Sequence, residues 1–248
     1  MNINTVRYDS VGSTNTEAAD HARRGAKEGL CIIAREQTSG RGRHGRNWIS
    51  ARDAGLYMSI VLRPKLDKLT QPLITLMAGV AVHDALQELG QGPDIKWVND
   101  ILIGDKKIGG ILAEAINTPT GQSVIVGIGV NLRSSNFPDD IAQTATSIEA
   151  ETSRLLDADA VTETIIRQIS HFYQVLNDTD GPANIIKLWS GRSSYFAGKM
   201  VRATLSDRTI TGTTDGLEEN GALRVKTEDG SVIIVQAGDI ERLRANGS

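Results

Sequence analysis

Arginine and glycine alternate through the segment Glu36-Gln37-Thr38-Ser39-Gly40-Arg41-Gly42-Arg43-His44-Gly45-Arg46-Asn47-Trp48. Glycines let a backbone approach a ligand closely and present its N–H groups. Arginine adds a planar fork of donors that suits phosphate and carboxylate. Trp48 can stack on a flat ring or shield the site. A solvated basic loop is the ordinary reading of such a run, and a nucleic-acid contact of the Arg-Gly kind is another. Two features tell against both. The run occurs once in a chain with 27 basic and 30 acidic residues, a net charge of −3, and strand-like segments frame it. Long loops in compact domains are usually functional. The run lacks the Gly-Lys-Ser/Thr of the phosphate loop of nucleoside triphosphatases, so a nucleotide would be held by another route.

Three further segments carry chemistry. In Ile95-Lys96-Trp97-Val98-Asn99-Asp100 a lysine beside tryptophan on an apolar strand costs desolvation energy unless it meets an anion. Its plain reading is a stem that packs while the ammonium reaches water, and Asn99 and Asp100 can simply hold a turn. In Lys107-Ile108-Gly109-Gly110-Ile111-Leu112-Ala113-Glu114, paired glycines within a strand point to a ligand or backbone coming very close. Gly127-Ile128-Gly129-Val130-Asn131-Leu132 is a poor dinucleotide fingerprint, because leucine stands at the third glycine. Pocket-lining glycines with Asn131 as a polar end group fit better. No Ser-His-Asp or Cys-His constellation is evident. Cys31 lies in the apolar run 30–34 and reads as a small buried hydrophobe rather than a catalytic thiol.

The elements that must position these residues follow from periodicity. Thr14-x-x-Glu17 has the form of a capping box, and Gly25 stops the helix it starts. Strands are expected at 30–34, 56–62, 95–98, 101–103, 108–113 and 123–132. Pro72 opens a helix that runs to Leu89, and Val161, Ile165, Ile169, Phe172 and Leu176 mark another. After about Gly198 the texture changes: Val201, Ala203 and Leu205 alternate, then Asn220-Gly221 and Asp229-Gly230 form hairpin turns. The chain divides into an α/β unit over 1–195 and a small β-barrel over 196–248. Forty per cent hydrophobic residues with only 4% aromatic require a core of Ile, Leu, Val and Ala.

A single cysteine forms no internal disulfide, residues 1–9 have no signal-peptide pattern, and no apolar run reaches a membrane span. A cytoplasmic protein without a membrane partner is expected.

Taken in order, Ser13-Thr14-Asn15, the 37–48 loop, Lys96-Trp97 with Asn99-Asp100, Gly109-Gly110-Ile111-Leu112 and Gly127 to Asn131 resemble the biotin–protein ligases. The resemblance runs from about residue 10 to the end. It implies an α+β fold with a catalytic mixed sheet and flanking helices like that of class II aminoacyl-tRNA synthetases, plus a C-terminal SH3-like barrel. It also implies ATP, Mg²⁺ and biotin: biotinyl-5'-AMP forms first, then the biotinyl group passes to a lysine of the biotin carboxyl carrier domain of a carboxylase. By resemblance, Ser13, Thr14, Asn15, Gln37, Arg41, Gly42, Arg43, Lys96, Gly109 and Gly110 bind biotin. Arg43, Arg46, Trp48, Lys96, Asn99 and Asn131 face ATP, with Lys96 and Arg43 catalytic. The metal ligands, and the choice between monomer and homodimer, stay open. A DNA-reading domain would need on the order of 50 residues before Ser13, so DNA is not an expected partner.

Val98 stands where the family commonly has proline, and His44 and Asn47 where it commonly has basic residues. The nearest rival is a lipoate–protein ligase, which shares fold and chemistry but takes another acid. The other is a non-catalytic sensor of biotin or nucleotide.

Overall fold

The computed structural model describes residues 1–134, 137–139, 141–205 and 207–243. Seven strands build the first sheet: β1 (Asn4–Tyr8), β2 (Leu30–Ala34), β3 (Gly55–Leu62), β4 (Pro93–Lys96), β5 (Asp100–Ile103), β6 (Lys106–Thr118) and β7 (Gly121–Asn131). Their order is β1-β2-β3-β7-β6-β5-β4. Only β1 and β2 pair in parallel; the other ladders are antiparallel.

Every residue of β2 and β3 is buried, so these strands read as unbroken apolar runs with helices on both faces. Side chains alternate between the faces along each strand. Leu30, Ile32, Val61 and Ile125 pack against the alanines of α1 (Thr14–Arg23). Cys31, Ile33, Met58 and Ile60 join α2 (Leu73–Glu88), α4 (Ala158–Asn177) and α5 (Gly181–Ser190) in the main core. A short α3 (Ile148–Thr152) precedes α4. Among the described residues no helix is long and apolar enough to cross a membrane.

The C-terminal unit is a five-stranded antiparallel sheet of β8 (Ala197–Thr204), β9 (Thr209–Leu217), β10 (Leu223–Lys226), β11 (Val232–Val235) and β12 (Asp239–Arg242), in the order β11-β10-β9-β8-β12. Gly221 and Gly230 turn its hairpins at φ +82° and +86°, where glycine carries no steric cost. Trp97 Nε1 donates to Gly221 O at 2.9 Å and Arg242 pairs with Asp105 at 2.7 Å, tying this sheet to the first.

Three local expectations are corrected. Ser13, not Thr14, is the N-cap of α1, and it makes no side-chain capping bond; the Thr14 hydroxyl is engaged by other polar groups instead. The strand expected over 95–98 ends at Lys96, where Trp97 turns inward and donates to Gly221. Leu205 lies beyond the end of β8.

Candidate functional site

The α1 face of the sheet, the 37–48 loop and the β12 end of the C-terminal sheet enclose a cavity of about 360 Å³. Its inner end is neutral and polar. Ser13, Thr14, Asn15, Ser50 and Ser59 are buried there. Ser59, in the middle of β3, points to the α1 face, and its Oγ lies 2.7 Å from Thr14 Oγ1 and 2.6 Å from Asn15 Oδ1. Gln37 Oε1 accepts from Thr14 N at 2.8 Å and Thr14 Oγ1 at 3.0 Å, while its Nε2 donates to Ser50 Oγ at 2.8 Å. Gln37 therefore satisfies one of the free N–H groups that a helix start leaves over, the task a capping side chain usually performs. Asn15 Nδ2 donates to Glu114 Oε2 at 2.8 Å and Leu112 O at 3.3 Å. Each amide is thus fixed at both ends, and a buried network satisfied in this way is rigid.

The glycines of the sheet make room for this arrangement. A Cβ on Gly127 would stand 2.1 Å from Asn15 Oδ1, and one on Gly129 would stand 2.5 Å from the Trp48 ring. At Gly110 the added atom would lie 3.2 Å from Trp48. The close approach expected at these glycines is therefore made by Asn15 and Trp48, which form the cavity wall. Gly109 is a correction to the expected set. It pairs with Val130, and a Cβ there would face Gly129 O and Ile101; strand alternation puts Gly110 on the cavity side and Gly109 away from it.

The outer end is cationic. Lys96 Nζ lies 3.2 Å from Asp100 Oδ2, and Lys107 Nζ lies 2.5 Å from Asp100 Oδ1 and 5.4 Å from the centre of the Trp48 ring. Burial opposes the charge on Asp100, yet the two lysines outweigh it and hold its pKa below the usual carboxylate value, as opposite charges at this range do. Arg41 meets Glu114 at 2.6 Å and Arg46 meets Asp239. Arg43 is different: its Nη1 donates to two neutral oxygens, Asn99 Oδ1 at 3.1 Å and Gly238 O at 3.4 Å. Burial lowers its pKa, so a bound anion would relieve its desolvation.

Two profiles match the chain. That of the biotin/lipoate A/B protein ligase family covers residues 8–131, and that of the biotin protein ligase C terminal domain covers 196–243. This chain belongs to the biotin/lipoate A/B protein ligase family. A biotin--[acetyl-CoA-carboxylase] ligase of Paracoccus denitrificans is 33% identical over 234 residues, 91% of this chain and 95% of that one. The bifunctional ligase/repressor BirA of Bacillus subtilis (strain 168) is 35% identical over 245 residues, 97% of this chain and 74% of that one. A biotin protein ligase from Aquifex aeolicus, solved in complex with biotin and ATP, superposes with a TM-score of 0.83 at 28% identity, covering 98% of this chain and 99% of that one.

Of the residues that the ligase resemblance singles out, Ser13, Thr14, Asn15, Gln37, Arg41, Gly42, Arg43, Arg46, Trp48, Lys96, Asn99 and Gly110 line this one cavity. Asn131 does not. Its Nδ2 donates to Thr146 O at 2.9 Å, steadying a segment that in turn pairs with Lys107 through Lys107 N→Thr144 O at 2.7 Å and Thr146 N→Lys107 O at 2.9 Å. Ser59, Ser50, Glu114, Lys107 and Asp239 were not anticipated. Glu114 and Lys107 stand in a segment already marked by its glycines, and period two puts Glu114 on the Gly110 face. Ser59, a hydroxyl within a wholly buried strand, is itself a signal. Asp239 has no local signal, since only the fold brings it to the loop.

Proposed function

We propose that the chain is a biotin–protein ligase that makes biotinyl-5'-AMP from biotin and ATP and transfers the biotinyl group to a carrier-domain lysine of a biotin-dependent carboxylase. One observation carries the reading: a rigid, uncharged hydrogen-bonding pocket and a cluster of cations share one cavity. A small acid with a neutral polar head suits the first, and its carboxylate together with the nucleotide phosphates suits the second.

Biotin carboxylate must attack the α-phosphorus of ATP, and both reactants are anions. In the proposed arrangement Ser13, Thr14, Asn15 and Gln37 hold the biotin head, while Arg41 and Gly42 cover its chain. Arg43, Lys96 and Lys107 face the carboxylate and the phosphates, offsetting their repulsion and the charge that builds on the phosphoryl oxygens. Arg46, Trp48 and Asn99 lie on the nucleotide side. Lys107 is added to this set because it stands over Trp48 and Gly110, where the two halves of the cavity meet. Both lysines are pinned by Asp100, which costs little reorganisation when the anions arrive. No protein nucleophile is required: a carboxylate oxygen bonds to the α-phosphorus, pyrophosphate leaves, and the target lysine later displaces AMP from the mixed anhydride.

Among the described residues no three Asp, Glu, His or Cys side chains gather into a metal site, and Asp100 is already matched by two lysines. Mg²⁺ brought in with the ATP phosphates, the usual habit of this ion, would supply further charge neutralisation.

The test is transfer itself. Incubated with biotin, ATP, Mg²⁺ and an apo carrier domain, the protein should add one biotinyl group to one lysine. A carrier left unmodified, or one modified only when lipoate replaces biotin, would contradict the reading.

A further inference from the structure

The 37–48 loop is strapped across the cavity from both sides. On the sheet side Arg41 reaches Glu114 of β6. On the far side Arg46 reaches Asp239, the first residue of β12, and Arg43 donates to the carbonyl of Gly238 beside it. The two residues that receive the loop are shaped for it. Gly238 sits at φ +146°, and a Cβ there would stand 2.6 Å from Thr204 O, so only glycine brings this corner in close enough to aim its carbonyl at Arg43. Asp239 lines the cavity and is about one-third exposed, whereas Arg46 is about two-thirds exposed. The C-terminal sheet also joins the first one through the shared core and, among the described residues, through Trp97 to Gly221 and Arg242 to Asp105, and neither of these polar ties touches the loop.

We infer that Asp239 is a positioning residue which latches the arginine loop over the cavity through Arg46, so that the C-terminal sheet controls how long the activated acyl-adenylate is kept from water and stray amines. The inference rests on the ligase reading and assigns that sheet a part in retention. A half-exposed ion pair is weak, which suits a strap that must open in each turnover. Arg46 engages Asp239 through one nitrogen; its other donors stay available to a nucleotide phosphate.

The latch is tested on the full chain with Asp239→Asn, which keeps the shape and removes the charge. Without substrates, tryptic cleavage within 41–46 should quicken about two- to fivefold, the range that an exposed ion pair can shift an open–closed balance. With biotin and ATP, biotinylation of a bystander protein by escaped adenylate should rise by a similar factor, while pyrophosphate release in the presence of an amine trap stays within about twofold. The charge-reversed pair, Asp239→Arg with Arg46→Asp, should retain adenylate better than Arg46→Asp alone, which lacks the same nucleotide contact. Arg242→Gln, which removes a different ion pair of the same sheet without touching the loop, should leave loop cleavage unchanged. Unchanged cleavage in Asp239→Asn, equal cleavage in Arg242→Gln, or a reversed pair no better than Arg46→Asp alone would each overturn the latch. A wild-type protein that forms no adenylate would sink the ligase reading instead, and the cleavage comparison would still decide the latch.

Discussion

The two ends of the cavity are built by opposite means. The inner end is made of neutral side chains from a buried strand, a helix start and the root of the loop, among which Thr14, Asn15, Gln37 and Ser59 are each held by two or more hydrogen bonds. The outer end is made of long cations from the loop, β4 and β6, and all but Arg43 are matched to carboxylates that come from β5, β6 and β12. Burial makes the first precise and slow to change. Exposure makes the second adjustable, because surface ion pairs contribute only about 0–1 kcal/mol each. An enzyme that must select one acid and yet open for a protein substrate needs both.

The largest effects should come from the outer end's half-buried cations. Arg43→Ala and Lys107→Ala should each lower the rate of adenylate formation about 10²–10³-fold, the usual loss when a donor to developing charge is removed. Single-turnover kinetics at saturating biotin and ATP would show it. Lys96→Ala should cost less than Lys107→Ala, since Lys96 meets Asp100 but does not lie over Trp48. The reverse order would move the phosphoryl site to the β4 end.

Next comes the inner end. Gly127→Ala sets a methyl against Asn15 Oδ1, and the displaced amide should raise the KM for biotin about 10- to 100-fold with a small change in the KM for ATP. Ser59→Ala removes one hydroxyl from the same network and should raise the biotin KM about fivefold. If either variant changed the ATP KM as much as the biotin KM, the division between the two ends would be wrong.

Much of this was legible in sequence, for reasons that differ by region. The 37–48 loop declares itself through composition, because no strand or helix needs three arginines and three glycines there. β2, β3 and the long helices follow from apolar periodicity. β1 was missed because its edge position leaves it half exposed and blunts the alternation, and α5 because ten residues carry little periodic signal. The glycines of β6 and β7 were visible, but their occupants, Asn15 and Trp48, come from segments far away in the chain. Asp239 could be found only in the folded molecule. Gly109 fell inside a marked segment yet faces away, because strand pleating puts Gly110 and not Gly109 on the cavity side; Asn131 shares a face with Gly129 but is taken up by Thr146 O.

Smaller effects concern pH and salt. The pKa of Asp100 is depressed in the folded protein, so its pairing with the two lysines is present above the ordinary value of 3.8 and is lost as pH falls below it. Activity at neutral pH should therefore show no step owed to Asp100, and Asp100→Asn should perturb the site at every pH above about 4. A pH–rate profile of both proteins checks this. Cys31 is buried, and burial pushes its thiol up to about 12. It should react with a thiol reagent only after denaturation, and labelling kinetics in buffer and in guanidinium would report the difference. Raising the salt from 0.05 to 0.5 M should quicken loop cleavage while leaving biotin affinity nearly unchanged, because screening reaches the exposed pairs and not the buried amides.

The most direct test of the account is ATP-dependent pyrophosphate release titrated with biotin and, side by side, with lipoate. Release with biotin at low concentration, and little with lipoate, is the predicted result, since the inner end should select the acid before the cations act on it. Equal release with both acids, or release with lipoate alone, would contradict it.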